Sequence, residues 1–429
     1  MILYNCTILT GQIGEIIKNA AVCIKDDKIV DVGNENEILE KYMEDEEQIN
    51  LDGKIIMPGL SNPYTSFYIN EFGMIHKMAY SDLPTYEKFS KIVGYSETMV
   101  EDEDLFEDIV RLGGYKSLIN GITTSIVSIP YSKNISRIDQ ICESIGVKIK
   151  PSPIFLTENG IPRAYRRELI NNKNISSITI LGVWGLEDED YEFIQEFFDA
   201  GKRIRIVLVD YEQEERYSQL KHGEKLLEVL KKHNVLSKKV DIIFAGKIDK
   251  DFLDYISYKG VRIIKAVRTE QMEIEGSPEL LDLLGRGVKV AIGTGIIDYS
   301  LFNEAKTLLI SEKAHGKSNY NILYNEVERT IFMNNYQFAS DELATQMGKI
   351  AGGYDADITI LNSRTGDFIF NTETPFTEIS FAIGSEVEVW GAIVSGKISL
   401  WDRKLQSSDM SLIRRIQKDI NKRTQIIEL

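Results

Sequence analysis

The chain has 429 residues, too many for one ordinary core but enough for a barrel of typical enzyme size with an added small domain. Its 43% hydrophobic and 27% charged residues are ordinary for a folded, soluble protein and exclude a disordered chain. A formal net charge of -16 repels phosphate backbones and anionic bilayers, which argues against nucleic acid or a membrane as a partner.

No apolar run reaches the roughly 18 residues of a membrane span. The opening MILYNCTILTGQIGEI alternates instead of showing a charged region followed by an apolar one, so a cytoplasmic protein is expected. Cys6, Cys23 and Cys142 are widely spaced without a CxxC pair, and buried reduced thiols are expected of them. The stretch 1–53 reads as short strands with turns: ILYNCTIL, then AAVCIKDDKIVDVG, whose Asp-Asp-Lys step predicts a hairpin. An acidic helix, NENEILEKYMEDEE, follows. This segment cannot close a core alone. Its partner is expected at 356–402, another β-rich, turn-punctuated stretch. The expected organisation is a composite β-sandwich domain from 1–57 and 349–404, a barrel over 58–348, and a terminal helix within 405–429.

Between the two ends, short apolar strands alternate with amphipathic helices at the spacing of repeated βα units. Strands are expected at 59–64, 122–129, 147–155, 178–185, 204–210, 241–245, 261–267 and 288–294. Eight such units predict an α/β fold, a (β/α)8 TIM barrel, with function at the C-terminal strand ends. The stretch 104–119, with Leu105, Ile109, Leu112 and Leu118 on one side, predicts a connecting helix. An insertion at 74–103, rich in Tyr and acidic residues, sits where a lid or partner surface would lie, with a solvated loop as the alternative. Near the end, Leu412, Ile413, Ile416 and Ile420 predict an amphipathic helix packed on the barrel, with Ser407 or Ser408 as its cap.

Several stretches carry a family resemblance in the correct order. LDGKIIMPGLSN at 51–62, NGITTSIVSI at 120–129, RGVKVAIGTG at 286–295, GKIAGGYDADITILN at 348–362 and VSGKI at 394–398 together resemble the amidohydrolase superfamily. The nearest likeness is to its cytosine-deaminase-like, chlorohydrolase and SsnA-type aminohydrolase branch. That resemblance implies one divalent metal held by His-x-His on the first barrel strand, a His on the fifth, a His on the sixth and the Asp of G-T-D on the eighth. This chain has Tyr64, Ser66, Val207, Phe244 and Gly295 at those places. Val, Phe and Gly offer no side-chain donor, and neutral hydroxyls bind zinc or iron poorly. The four histidines, His76, His222, His233 and His315, fall elsewhere, so neither metal nor other cofactor is expected. The branch's strand-seven loop is replaced by Ala266 to Glu270 and its strand-four end by Gly182 to Gly185.

The remaining candidates are polar or aromatic groups at the expected mouth. Asp210 stands where the branch carries an acidic proton shuttle, and Lys247 and Lys265 are weak catalytic candidates beside it. Arg268 and Asp298, with the lysines, form either an anion pocket or salt bridges across the strand ends. Tyr64, Ser66 and Trp184, with Phe244, either line a ligand site or fill an emptied cavity. The reading that follows is a catalytically degenerate barrel acting as scaffold or regulatory subunit. Its expected partner is a second copy, an active paralogue or a larger metabolic enzyme assembly. The alternatives are a hydrolase of non-peptide C–N bonds with a repurposed site, and a small-molecule sensor.

Overall fold

The computed structural model describes residues 1–42, 44, 46–78, 81–314, 320–364, 366, 373–406 and 410–424. His315, Ser407 and Ser408 lie outside the described residues. The first strands are β1 (Ile2–Leu9), β2 (Ile16–Lys25), β3 (Lys28–Asn34), β4 (Gln48–Asn50) and β5 (Ile55–Pro58). The expected hairpin joins β2 to β3, where Lys25 pairs with Lys28 and Asp26 takes the left-handed conformation at φ 53°.

Eight parallel strands then follow: β6 (Leu60–Thr65), β7 (Ile122–Pro130), β8 (Lys148–Leu156), β9 (Ser177–Leu181), β10 (Arg203–Leu208), β11 (Val240–Phe244), β12 (Arg262–Lys265) and β13 (Val290–Ile292). Each pairs with its sequence neighbour. Seven of them, β6, β7 and β9 to β13, are buried along their whole length, the mark of parallel strands covered by helices outside and side chains within. The last five strands, β9 to β13, stop earlier than the sequence suggests, β9 by the most. Gly182 turns the chain at φ 71° after β9, and after β12 the chain enters the helix Val267–Glu273.

The barrel closes at the β6–β13 seam through one bridge, Thr65 to Gly295, supplemented by side chains. Asn62 donates to the Thr294 hydroxyl at 2.8 Å and accepts the Thr294 amide at 3.1 Å. Asn335, on the π-helical turn Thr330–Asn335, donates to the carbonyls of Ser61 and Ile292 and accepts the Ile292 amide. An asparagine side chain thus does the work of missing ladder bonds.

The last strands, β14 (Ile358–Ser363), β15 (Val387–Val394), β16 (Lys397–Trp401) and β17 (Lys404–Leu405), return to the N-terminal strands. Antiparallel pairing of β14 with β5 joins both chain ends into one nine-stranded sheet. Lys148 of β8 ties that sheet to the barrel through Asp355 at 3.0 Å and Asp357 at 2.7 Å. The helix Glu103–Leu118 is capped by Asp102, which accepts the Leu105 amide. Against it packs Met410–Thr424, burying Ile413, Ile416 and Ile420. Among the described residues, no helix is long and apolar enough to cross a membrane.

Candidate active site

The C-terminal strand ends converge on a closed, largely aromatic mouth. Tyr64 is buried near the end of β6, and its ring meets Phe244, the last residue of β11, edge-on at 5.7 Å. Burial pushes the Tyr64 hydroxyl well above its ordinary range, keeping it neutral. Val207 is buried in β10, and Ser66 caps the short helix Phe67–Glu71 without a side-chain bond. Gly295 sits at φ 65°, where an added Cβ would come 2.4 Å from the Thr269 hydroxyl and 2.8 Å from Ala266. Among the described residues, no group of three or more His, Cys, Asp or Glu could hold a metal ion. His222 bonds the Trp184 carbonyl at 2.9 Å, and His233 stacks on Tyr191 at 4.0 Å. These residues do not fit the zinc-type centre that the fold family implies.

A direct test of that misfit is Gly295→Asp, the change that would restore the missing carboxylate. The backbone there favours glycine, and the space is taken by Thr269. The expected result is a loss of about 1–3 kcal/mol in urea unfolding, without gain of bound metal. Unchanged stability would show that the strand end has room for a ligand.

The polar groups sort differently from their order in the chain. Asp210 caps the helix Tyr211–His222, accepting the Gln213 amide at 3.0 Å, and pairs with Lys247 at 3.0 Å. Hydrogen bonds to Asp210 and Glu275 raise the Lys247 pKa, so it stays charged. Phe244, Ala245 and Lys247 all take positive φ, so the chain leaving β11 is strained into place at the mouth. Lys265 is turned away from Asp210: it is buried against Glu270 at 2.6 Å, Ser277 and the Pro278 carbonyl. Arg268 is occupied by Asp298 and by Glu304 at 2.7 Å, and Trp184 packs on Tyr217 at 4.8 Å.

One feature is absent from the sequence reading, and another was left open there. The absent one is Glu214, one helical turn beyond Asp210 and fully buried. One of its oxygens accepts the Val183 amide at 2.8 Å, while the other, Oε1, is buried without a partner. Burial pushes its carboxyl up to about 8, against the Val183 amide bond that lowers it and with help from the negative charge of Asp210. Glu214 is therefore protonated at neutral pH. The one left open is the insertion at 74–103, whose helix Thr85–Met99 lies over the mouth as a lid and is not a solvated loop. Phe89 meets Phe244 at 5.8 Å, and the Tyr86 hydroxyl donates to Glu158 at 2.8 Å. Gln213 donates to Glu87 at 2.7 Å, so the lid is stitched to the helix carrying Glu214.

The chain resembles two curated relatives along nearly its whole length. A 5-methylthioadenosine/S-adenosylhomocysteine deaminase of Halothermothrix orenii is 20% identical over 404 residues, covering 91% of each chain. Another of that name, from Caldicellulosiruptor saccharolyticus, is 21% identical over 439 residues, covering 98% of each. No family model matches. Among solved structures, an adenosine deaminase from Xanthomonas campestris with bound zinc superposes with a TM-score of 0.78 at 15% identity, covering 99% of this chain and 98% of that one. The atrazine chlorohydrolase of Arthrobacter aurescens complexed with zinc gives 0.76 at 16%, covering 98% and 99%. The solved structures speak to the fold.

The expectation of a catalytically degenerate scaffold or regulatory subunit is corrected by the two sequence relatives, both named deaminases. That expectation rested on the lost ligand set alone and did not weigh the buried Glu214 carboxyl beside Asp210. The barrel, the sheet joining both chain ends and the end-to-end similarity to the two deaminases agree with the likeness to the amidohydrolase superfamily seen in the sequence motifs.

Proposed function

We propose that the protein is a hydrolase of non-peptide C–N bonds, a deaminase acting in the cytoplasm on an amino-substituted heterocycle such as the adenine of 5-methylthioadenosine. The observation that carries this reading is that both relatives, each matched over nine-tenths or more of the chain, are named deaminases. The mouth supplies two carboxyls with unlike environments, the arrangement that separates an acid from a base. In the proposed reaction water adds to the carbon bearing the amino group, and the C–N bond breaks. Asp210 takes the proton from the attacking water, and Glu214 gives its proton to the departing nitrogen, which leaves as ammonia. Substrate reaches Glu214 only when the Thr85–Met99 helix lifts, since Tyr86 of that helix lies beside Glu214 at Gly182 and Phe89 packs on Phe244. The reaction is routed through side chains because the residues at the former ligand positions do not fit a metal.

The experiment is ammonia release from 5-methylthioadenosine, S-adenosylhomocysteine and adenosine by protein purified without chelator, with metal content measured on the same sample. Turnover with less than stoichiometric zinc, iron or manganese is expected. Turnover that tracks a bound stoichiometric metal would overturn the side-chain route, and no ammonia from any amino-heterocycle would overturn the activity itself.

A further inference from the structure

We propose that the N-terminal face of the barrel, opposite the mouth, binds a small phosphate-bearing anion. A cavity of about 540 Å³ opens there, lined among others by Arg203, Lys238, Lys239, Arg262 and Lys289. Its volume falls in the range of small-molecule sites. The cations come from four adjacent strand starts. Arg203 opens β10, Lys238 and Lys239 precede β11, Arg262 opens β12 and Lys289 precedes β13. Parallel pairing sets these starts side by side: Ile204 faces Val240, Asp241 faces Arg262, and Ile263 faces Val290. Gly201, Gly260 and Gly287 make the preceding turns at φ 81°, 69° and 78°. At Gly201 and Gly287 an added Cβ would meet nothing within 4 Å, so the rim is open to a ligand.

The arginines are fixed and already balanced. Asp241 holds Arg203 at 2.8 Å and Arg262 at 2.6 Å, Glu342 binds Arg205, and Asp341 binds Arg262. Phe338 supports the Arg262 guanidinium from 3.8 Å. Three carboxylates thus offset three guanidiniums, and the lysines are left over. Lys239 donates to the Phe198 carbonyl, which carries no charge. Lys238 and Lys289 are exposed and have no carboxylate partner among the described residues. An excess of three positive charges around one cavity, in a chain of net charge -16, favours a ligand with several negative charges on a compact group. Lysine ammonium groups suit phosphate oxygens as point charges.

The test uses the full chain with inorganic pyrophosphate and with ADP, each compared with sodium chloride at equal ionic strength. At pyrophosphate about a hundred times the half-saturating concentration, a rise of roughly 3–6 °C in Tm is expected. Equilibrium dialysis should show the Lys238→Gln/Lys289→Gln double variant losing about tenfold or more in affinity. Both lysines are exposed, so the double variant should fold normally and keep ammonia release. Glu214→Gln, at the other end of the barrel, should keep native affinity for the anion, which separates this site from the catalytic reading. Equal stabilisation by chloride, native affinity in the double variant, or binding of a poly-glutamate peptide but not of pyrophosphate or ADP would each overturn the proposal.

Discussion

Glu214→Gln is expected to lower ammonia release by about 10²–10⁴-fold while leaving the fold intact. Glutamine has nearly the same shape and can keep the Val183 amide bond, but it cannot surrender a proton to a leaving nitrogen. In the native chain the rate should fall as pH rises past about 8, where Glu214 loses that proton. Stability supplies an independent readout. The folded carboxyl keeps its proton up to about 8 and its ordinary value is 4.5, so between these the folded chain binds one proton more than the unfolded chain. Stability therefore falls with rising pH, by about 1.4 kcal/mol per unit across that window, and this contribution is flat above it. Glu304 and Glu328, each pushed up to about 7 by burial, add their own slopes, so the difference between native and variant chains is what isolates Glu214. Urea unfolding at pH 5.5 and 8.5 measures it. A variant with native turnover and a native pH slope would remove Glu214 from the reaction.

Why the sequence shows the barrel but not this carboxyl is a matter of period and distance. Each barrel strand is a short apolar run bounded by turn residues, so its place survives reading from one residue to the next. Asn62 and Thr294 sit in motifs whose likeness to the superfamily is visible, and the structure shows them bonded across the closing seam. Glu214 lies in YEQEERYSQL, where carboxylates are plentiful and nothing local marks the buried one. The only available sign is its spacing of four from Asp210, which puts both on one helix face beside the mouth. The lid was left open between a covering element and a solvated loop, because its closure depends on Phe89 meeting Phe244, a contact across distant parts of the chain. Lys265 ends β12 two residues before the expected strand end, and its partner Glu270 lies on the helix that follows, a pairing the strand pattern does not show.

Asp241→Asn should cost about 3–5 kcal/mol, the largest stability loss expected of any single substitution considered. Burial alone would raise the Asp241 pKa, but Arg262, Arg203 and Arg205 override it and hold the carboxyl well below the usual carboxylate range. A lowered folded pKa contributes stability that is complete above the unfolded value and is lost only as pH falls through the folded one. The loss in the variant should therefore be the same at pH 5 and pH 8, unlike the Glu214 effect. Asparagine cannot carry the charge, and its amide points a donor at guanidinium nitrogens that already donate. Removing charge in balance is the stricter test. Asp241→Leu with Arg262→Met leaves two guanidiniums, Arg203 and Arg205, and two carboxylates, Glu342 and Asp341, and should unfold at higher urea than Asp241→Asn although it deletes more bonds. If the double variant is the less stable of the two, the hydrogen bonds of Asp241, and not its charge, hold the base of the barrel together.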